Sequence, residues 1–346
     1  MRARVRVGVV VLACVGLAAG GCSSSPDESE ETGPSSAATG TTSSPGTSSS
    51  AGTTETSATT GTAPSRDPVR IARAAAPFAE TPDLVAGRGD DADDVAIHPS
   101  GFVIGTSKNG DGGLEVYDLE AARLQWLELG ETNNVDLRGG TVVSSNRSDD
   151  AVDVLAFEGG RLEHERSFPV PFEPYGICLY RDTVVVTASD GERAEQYSLA
   201  GRRLRRLGSI TSQSEGCVAD EDRGILYVAE EDRGIWRFDA DPGASPTGVL
   251  VDGVGPHLDS DVEGLTLAGP FLVASSQGDS TYAVYREDEF VASFRIPETA
   301  DVDGADGTDG LAAEPGLDLL VVHDAENAGG RSSNYKYVRL SDVFRG

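Results

Sequence analysis

The chain has 346 residues and a formal net charge of −29 at pH 7, from 57 acidic against 28 basic residues. That balance excludes nucleic acid or an anionic membrane surface as the main partner, because both repel a polyanion. It suits a phosphorylated substrate only if metal ions supply positive charge; halophilic solvation is the competing explanation, tempered by the 28 Lys and Arg.

At the N-terminus Arg2, Arg4 and Arg6 precede an apolar run from Val7 to Ala19, and small residues lead into Cys22. This is the layout of a secretory signal, with an apolar run too short for a comfortable membrane span. Ending at a cysteine, it resembles a bacterial lipobox. That implies a signal peptide over 1–21, lipid on the thiol of Cys22, and an exported protein held at the outer face of the cell membrane or later released. The alternative is an ordinary signal peptide with an incidental cysteine. Residues 22–66 are mostly Ser, Thr, Gly, Ala and Pro. They cannot bury enough apolar surface to offset chain entropy, so they read as a disordered tether. A folded domain is expected over 67–346, about 280 residues, enough for one large β architecture or two ordinary domains.

The domain's first strong feature is G-D-D-A-D-D-V-A-I-H-P at 89–99, where Asp90, Asp91, Asp93 and Asp94 crowd against an apolar strand. Unpaired carboxylates a few Å apart repel by several kcal/mol at an effective dielectric of ~20. A hard cation with oxygen ligands is the usual compensation, and calcium fits best. A solvated acidic loop is the bland alternative.

Six stretches then read as strand–turn–strand: Phe102–Leu119, Thr141–Phe157, Thr183–Leu199, Ile225–Phe238, Phe271–Tyr285 and Leu317–Leu340. A short apolar segment opening on polar residues precedes each. Units recur every 40 to 48 residues or about that, the period of a four-stranded propeller blade. The pattern predicts an all-β fold, a six-bladed β-propeller whose short segments line the channel, with Val69–Ala74 closing the ring. A pair of β-sandwiches would not produce this spacing. Innermost strands of a propeller all start at one end of the channel. Asp93, Asp94, Asn134, Tyr175, Glu215, Asp261, Glu263 and Asp309 should therefore converge there. The turns add Lys108, Arg147, Glu230, Glu231, Asp232, Gln277, Asp324 and Asn327. So many oxygen ligands beside two cations describe a calcium site next to an anion site.

Cys14 leaves with the signal and Cys22 carries lipid, so Cys178 and Cys217 remain. In an exported protein they are a disulfide candidate, and their similar places on neighbouring innermost strands predict a bridge between two blades; buried free thiols are the alternative. Cys217 to Arg223 has the C-x5-R spacing of cysteine phosphatases, but Asp220, Glu221 and Asp222 fill a loop that must be electropositive to cradle phosphate. His98, His164, His257 and His323 show no metal-ligand spacing and receive no chemistry. Residues 303–310 imitate an EF-hand loop without its glutamate.

Several ordered segments carry a family resemblance. D-A-D-D-V-A-I (91–97) with N-N-V-D-L-R (133–138) resembles the paired signatures of the β-propeller phytases. S-N-R-S (145–148), E-Q-Y (195–197), S-E-G (214–216) and Y-V-A-E-E-D-R-G-I-W (227–236) follow. D-V-E-G-L (261–265), A-S-S-Q-G-D-S (274–280) and H-D-A-E-N (323–327) complete a collinear set over about 85–340. The resemblance implies a phosphoric monoester hydrolase of the 3-phytase type. It would use several calcium ions and an activated water to release phosphate from myo-inositol hexakisphosphate (phytate), free or as its calcium salt. A monomer is expected. By position, Asp93, Asp94, Glu215, Glu230, Asp261 and Glu263 would bind metal near the scissile phosphate, with Glu231 and Asp232 beside them. Asp309, Asp324 and Asn327 would hold partly structural calcium. Lys108 and Arg147 would grip phosphate next to Tyr175, and these three with Glu215 and Glu230 form the implied catalytic set.

There are departures: Val95 stands where the family usually has Pro, and His98 where it has Trp. Asn109 and Ser189 occupy places where some members have Lys, although Arg193 is near enough in sequence to substitute. Two competing functions stay open. One is a related calcium-dependent enzyme such as a lactonase, which Lys108 and Arg147 disfavour. The other is a non-catalytic calcium-binding propeller, which would more often present aromatics at the carboxylate-rich face.

Overall fold

The computed structural model describes residues 69–87 and 89–345; the expected signal peptide (1–21), the expected lipid site Cys22 and the expected tether (22–66) fall outside the described residues. Six four-stranded antiparallel sheets are arranged as the blades of a β-propeller. Blade one runs from the inner strand Ala92–His98 to the outer Arg123–Glu128. Blade two runs from Thr132–Arg138 to Arg161–Pro169, and blade three from Pro174–Tyr180 to Arg203–Arg206. Blade four runs from Cys217–Asp220 to Val249–Gly253, and blade five from Val262–Ala268 to Glu289–Phe294. Blade six combines Leu311–Glu314, Leu319–Asp324 and Asn334–Arg339 with an outermost strand, Pro77–Glu80, from the other end of the domain.

The closing strand is therefore Pro77–Glu80 and not Val69–Ala74. Within the latter, Arg70–Ile71 pairs with Phe344–Arg345 in a separate two-stranded ribbon. Proline is tolerated at the start of an edge strand. Polar side chains fix the register: Thr81 accepts the Tyr335 N–H on Oγ1 (3.1 Å) and Asn334 Nδ2 on its carbonyl (3.0 Å). Strand alternation alone does not display such bonds.

The core lies between blades. Middle strands are rich in β-branched and aromatic residues, which suit a surface packed on both faces. Val103, Val184, Val186, Val228, Val284 and Val322 are all buried. Each contributes about 1.5–3 kcal/mol when fully removed from water. Tyr335 of blade six packs against Val95, Val103 and Tyr117 of blade one. Its hydroxyl accepts the Thr106 N–H (2.9 Å) and lies 2.7 Å from the Thr106 carbonyl, locking the first and last blades together. Cys178 and Cys217 form a disulfide joining the inner strands of blades three and four.

One local device positions the functional side chains. The pairing of inner with second strand skips a residue at Asp93-Asp94, Asn133-Asn134, Tyr175-Gly176 and Glu263-Gly264, a β-bulge in each blade. In blades four and six the equivalent pairs, Glu215-Gly216 and Asp309-Gly310, come just before the strand. A bulge re-aims side chains, here toward the channel mouth. In blades one, three and five the residue opposite the bulge ties its blade to the next, whereas Ser145 of blade two bonds Asn134 within its own blade. Thr106 Oγ1 donates to the Asn133 carbonyl (2.6 Å), Thr187 Oγ1 to the Ser214 carbonyl, and Ser275 Oγ to the Thr308 carbonyl (2.7 Å). The glycines admit the neighbouring backbone: a Cβ on Gly176 would lie 1.8 Å from the Glu215 carbonyl oxygen, and one on Gly216 2.2 Å from that of Glu263.

Candidate active site

Each blade delivers one residue to the channel mouth: Asp93, Asn133, Tyr175, Glu215, Glu263 and Asp309. All but Tyr175 are buried, and Tyr175 is half-buried. Lys108, just beyond the second strand of blade one, reaches into this ring. Its Nζ lies 2.8 Å from Asp93 Oδ1, 3.1 Å from Asp309 Oδ2 and 3.4 Å from Asp90 Oδ2. Burial alone would discharge the ammonium, but Asp93, Asp309 and Asp90 outweigh it and raise its pKa. Gln277 Nε2 donates to Asp309 Oδ1. On the opposite side Arg147 is clamped by Glu173 (Nε to Oε1, 2.9 Å) and lies 5.7 Å from the centre of the Tyr175 ring. Its NH1 donates to Asn133 Oδ1 at 3.4 Å, and Asn133 Nδ2 donates to Glu215 Oε1 at 3.3 Å.

The carboxylates in this ring are short of positive charge. Oxygens of Glu215, Glu231 and Glu263 lie within 4.8 Å of one another. No donor reaches Asp93 Oδ2, Glu231 Oε1 or Glu263 Oε2, all buried. Burial, with repulsion from Glu215, pushes Asp93 well above the ordinary carboxylate range. Burial with Glu263 and Asp309 does the same to Glu215, and burial with Glu231 and Asp309 to Glu263. Glu231 is raised to about 7 by burial and by Asp261 and Asp232. Asp261 is raised by burial and by Asp232. Clustered carboxylates with orphaned buried oxygens are the donor set of a hard cation. The group therefore fits a metal ion, with Glu215, Glu231 and Glu263 at its centre and Asp93, Asp261 and the exposed Asp232 around it. A second group joins Asp90, Asp309 and His323.

Five expected positions are placed otherwise. Asp94 turns away from the mouth: its Oδ2 accepts the Val135 N–H (3.1 Å), and it lines a cavity of about 250 Å³ in the central channel. Burial, opposed by the Val135 and Val95 N–H groups, raises it to about 8. Asn133, one residue earlier than expected, takes the place assigned to Asn134. Glu230 is saturated by five donors: Thr211 N–H and Oγ1, Ser212 N–H and Oγ, and Trp236 Nε1. Burial would raise its pKa, but these bonds hold it below the usual value. It anchors the loop that leads to Glu215, with four of these bonds on Oε1 and the Trp236 bond on Oε2. Asp324 and Asn327 face the buried Lys336 ammonium, 3.0 Å from Asp324 Oδ2 and 3.4 Å from Asn327 Oδ1. The charge expected from calcium is supplied there by a side chain.

Asp90 and His323 belong to the site although spacing did not mark His323. The buried His323 Nδ1 accepts the Asp309 N–H at 3.0 Å and so orients that carboxylate. Aligning the repeats would have found it, because His323 stands opposite the blade-six pair where Thr106, Ser145, Thr187 and Ser275 stand in other blades. Of the departures, Asn109 donates to the Ala86 carbonyl (2.8 Å) and His98 packs on Phe157 with ring centres 4.9 Å apart. Arg193 donates to the Pro171 carbonyl (3.3 Å) and lies over Phe172, away from the Lys108 group.

Glu230→Ala should lower the melting temperature in EGTA by about 6 °C or more, since orphaned buried donors cost roughly 1–3 kcal/mol each. The rise in melting temperature on adding calcium should persist. Loss of that rise with an unchanged value in EGTA would make Glu230 a ligand after all. Differential scanning fluorimetry separates the two.

Comparison with known proteins agrees with this geometry. A model of the Phytase family matches residues 51–320. A 3-phytase of Bacillus subtilis (strain 168) is 36% identical over 298 residues, covering 71% of this chain and 77% of the relative. Among solved structures, the computationally designed Ika8 protein overlaps 71% of this chain and 70% of its own at 16% identity and a TM-score of 0.42, a likeness that carries no argument. Fold and relatives together define the class as a six-bladed propeller enzyme that hydrolyses phosphoric monoesters. Within that class, the chain belongs to the Phytase family.

Proposed function

We propose that the protein hydrolyses phytate in a calcium-dependent reaction at the channel mouth. The observation that carries this is the pairing of an uncompensated carboxylate group, Glu215, Glu231 and Glu263, with two cations, Lys108 and Arg147, beside it. Calcium bound by those carboxylates, with Asp93, Asp261 and Asp232, would offset phosphoryl charge and lower the pKa of a coordinated water. The chain's own groups do the rest. Arg147, held by Glu173 against Tyr175, presents a planar donor fork to phosphoryl oxygens. Tyr175 keeps its proton because Glu215 and burial raise its pKa, so it serves as a neutral donor. Lys108 ties Asp93 to Asp309 and keeps a positive charge beside the carboxylate group. His323 orients Asp309.

Phytate binding measured by calorimetry tests this reading. Heat of binding is expected in millimolar calcium and not in EGTA, where two polyanions meet. Arg147→Ala should weaken binding by about tenfold or more, the loss of a charge-assisted bidentate contact. Equal binding in EGTA would remove calcium from the account. Asn109 and Ser189 leave fewer cations at the rim, which supports tighter dependence on calcium than on side-chain charge. Export, lipid attachment at Cys22 and a monomeric state complete the proposal; these rest on the sequence.

A further inference from the structure

Lys336 lies on the third strand of blade six with its side chain fully excluded from solvent. A buried ammonium is costly unless it is paired and hydrogen-bonded. Here Nζ is 2.5 Å from Glu80 Oε2, 2.5 Å from Asp303 Oδ1, 3.0 Å from Asp324 Oδ2 and 3.4 Å from Asn327 Oδ1. Arg331 adds a second positive charge, with NH2 2.9 Å from Glu80 Oε1 and 2.7 Å from Asn327 Oδ1. Three carboxylates thus face two cations. The oxygens come from three separate places: the closing strand (Glu80), the loop before blade six (Asp303) and the turn after its second strand (Asp324, Asn327). One side chain holds them together at the point where the ring closes.

Oxygen ligands converging on one buried point are what a calcium site requires, at 2.3–2.6 Å or about that. Asp324 and Asn327 are expected as such ligands, and the ammonium sits between them and the carboxylates of Glu80 and Asp303. We propose that Lys336 is a built-in replacement for calcium. It closes the propeller without metal, and the oxygens around it form a latent calcium site that opens when the ammonium is removed. Without Lys336 the group carries three negative charges against Arg331 alone, an excess of two that a divalent cation matches. This inference is independent of the reaction at the channel mouth.

The test compares Lys336→Ala, which opens space, with Lys336→Met, which keeps the bulk and loses the charge. In EGTA both should melt about 10 °C or more below the unsubstituted protein, since breaking a buried ion pair leaves charge uncompensated. In 5 mM calcium chloride, an amount of about that order being ample for a carboxylate site, Lys336→Ala should recover at least half the gap and Lys336→Met none. Calorimetry should count one more bound calcium in Lys336→Ala than in the unsubstituted protein. Asp324→Asn decides the matter if Lys336→Ala does not fold. It removes a partner of the ammonium, so its melting loss should be the same in EGTA and in calcium. A Lys336→Ala gap that calcium leaves unchanged, or an Asp324→Asn loss seen only in calcium, overturns the proposal.

Discussion

Glu215→Gln is expected to reduce phosphate release from phytate by about a hundredfold or more, the scale on which a lost electrostatic group at a reacting centre acts. Glu215 sits between both halves of the site. It shares the carboxylate group with Glu231 and Glu263, and Asn133 links it to Arg147. Glutamine keeps the shape and removes one charge. The fold should not suffer, because the charged form is already disfavoured by burial and by Glu263 and Asp309. The melting temperature in EGTA should therefore stay level or rise, while the gain on adding calcium shrinks. Activity and melting curves together separate a ligand from a packing residue. Release within about threefold of the unsubstituted enzyme would exclude Glu215 from the reaction, since even one lost hydrogen bond of about 1 kcal/mol costs more.

The second large effect is the pH dependence of the calcium-free protein. Asp93, Glu215 and Glu263 are raised well above ordinary carboxylates, with burial the main cause in each, and Glu231 is raised to about 7. A carboxyl raised on folding keeps a proton that the unfolded chain has released. Its contribution is fully present below the unfolded value near pH 4 and is lost as pH rises through the folded value. In EGTA the melting temperature should fall by about 5 °C or more between pH 6 and pH 8, where Glu231 and the groups above it ionise against one another. Calcium needs those oxygens deprotonated and supplies the missing charge, so saturating calcium should cut that fall by at least half. A residual slope belongs to Asp94, raised to about 8 in the channel with its carboxylate on the Val135 N–H. A melting temperature flat across this window in EGTA would mean that the carboxylates are compensated without metal.

Much of the fold was legible because each blade repeats two signals at a constant period. One is an alternating hairpin, and the other is a polar pair before a short apolar strand. The same repeat placed Asp93, Tyr175, Glu215, Glu263 and Asp309 at one end of the channel. Register was harder. The bulge decides that Asn133 faces the mouth and Asn134 does not, and that Asp93 does while Asp94 looks down the channel. Glu230 and Glu231 are neighbours with opposite fates. One is consumed by the Thr211–Ser212 loop and Trp236, and the other joins Glu215. Asp324 and Asn327 looked like ligands because oxygen atoms alone do not reveal their cation. The lysine that pairs with them lies on the next strand, and Glu80 comes from the far end of the domain. The closing strand was missed for a related reason, since its register depends on Thr81 and Glu80 side chains rather than on alternation.

The central claim is that the carboxylate ring works through calcium on phytate. Its most direct test is inorganic phosphate released from phytate by the purified protein in millimolar calcium, after EGTA, and after calcium is restored. Release that appears in calcium, disappears in EGTA and returns with the ion is the predicted result. Release that survives EGTA, or none in calcium from a folded propeller, would contradict it.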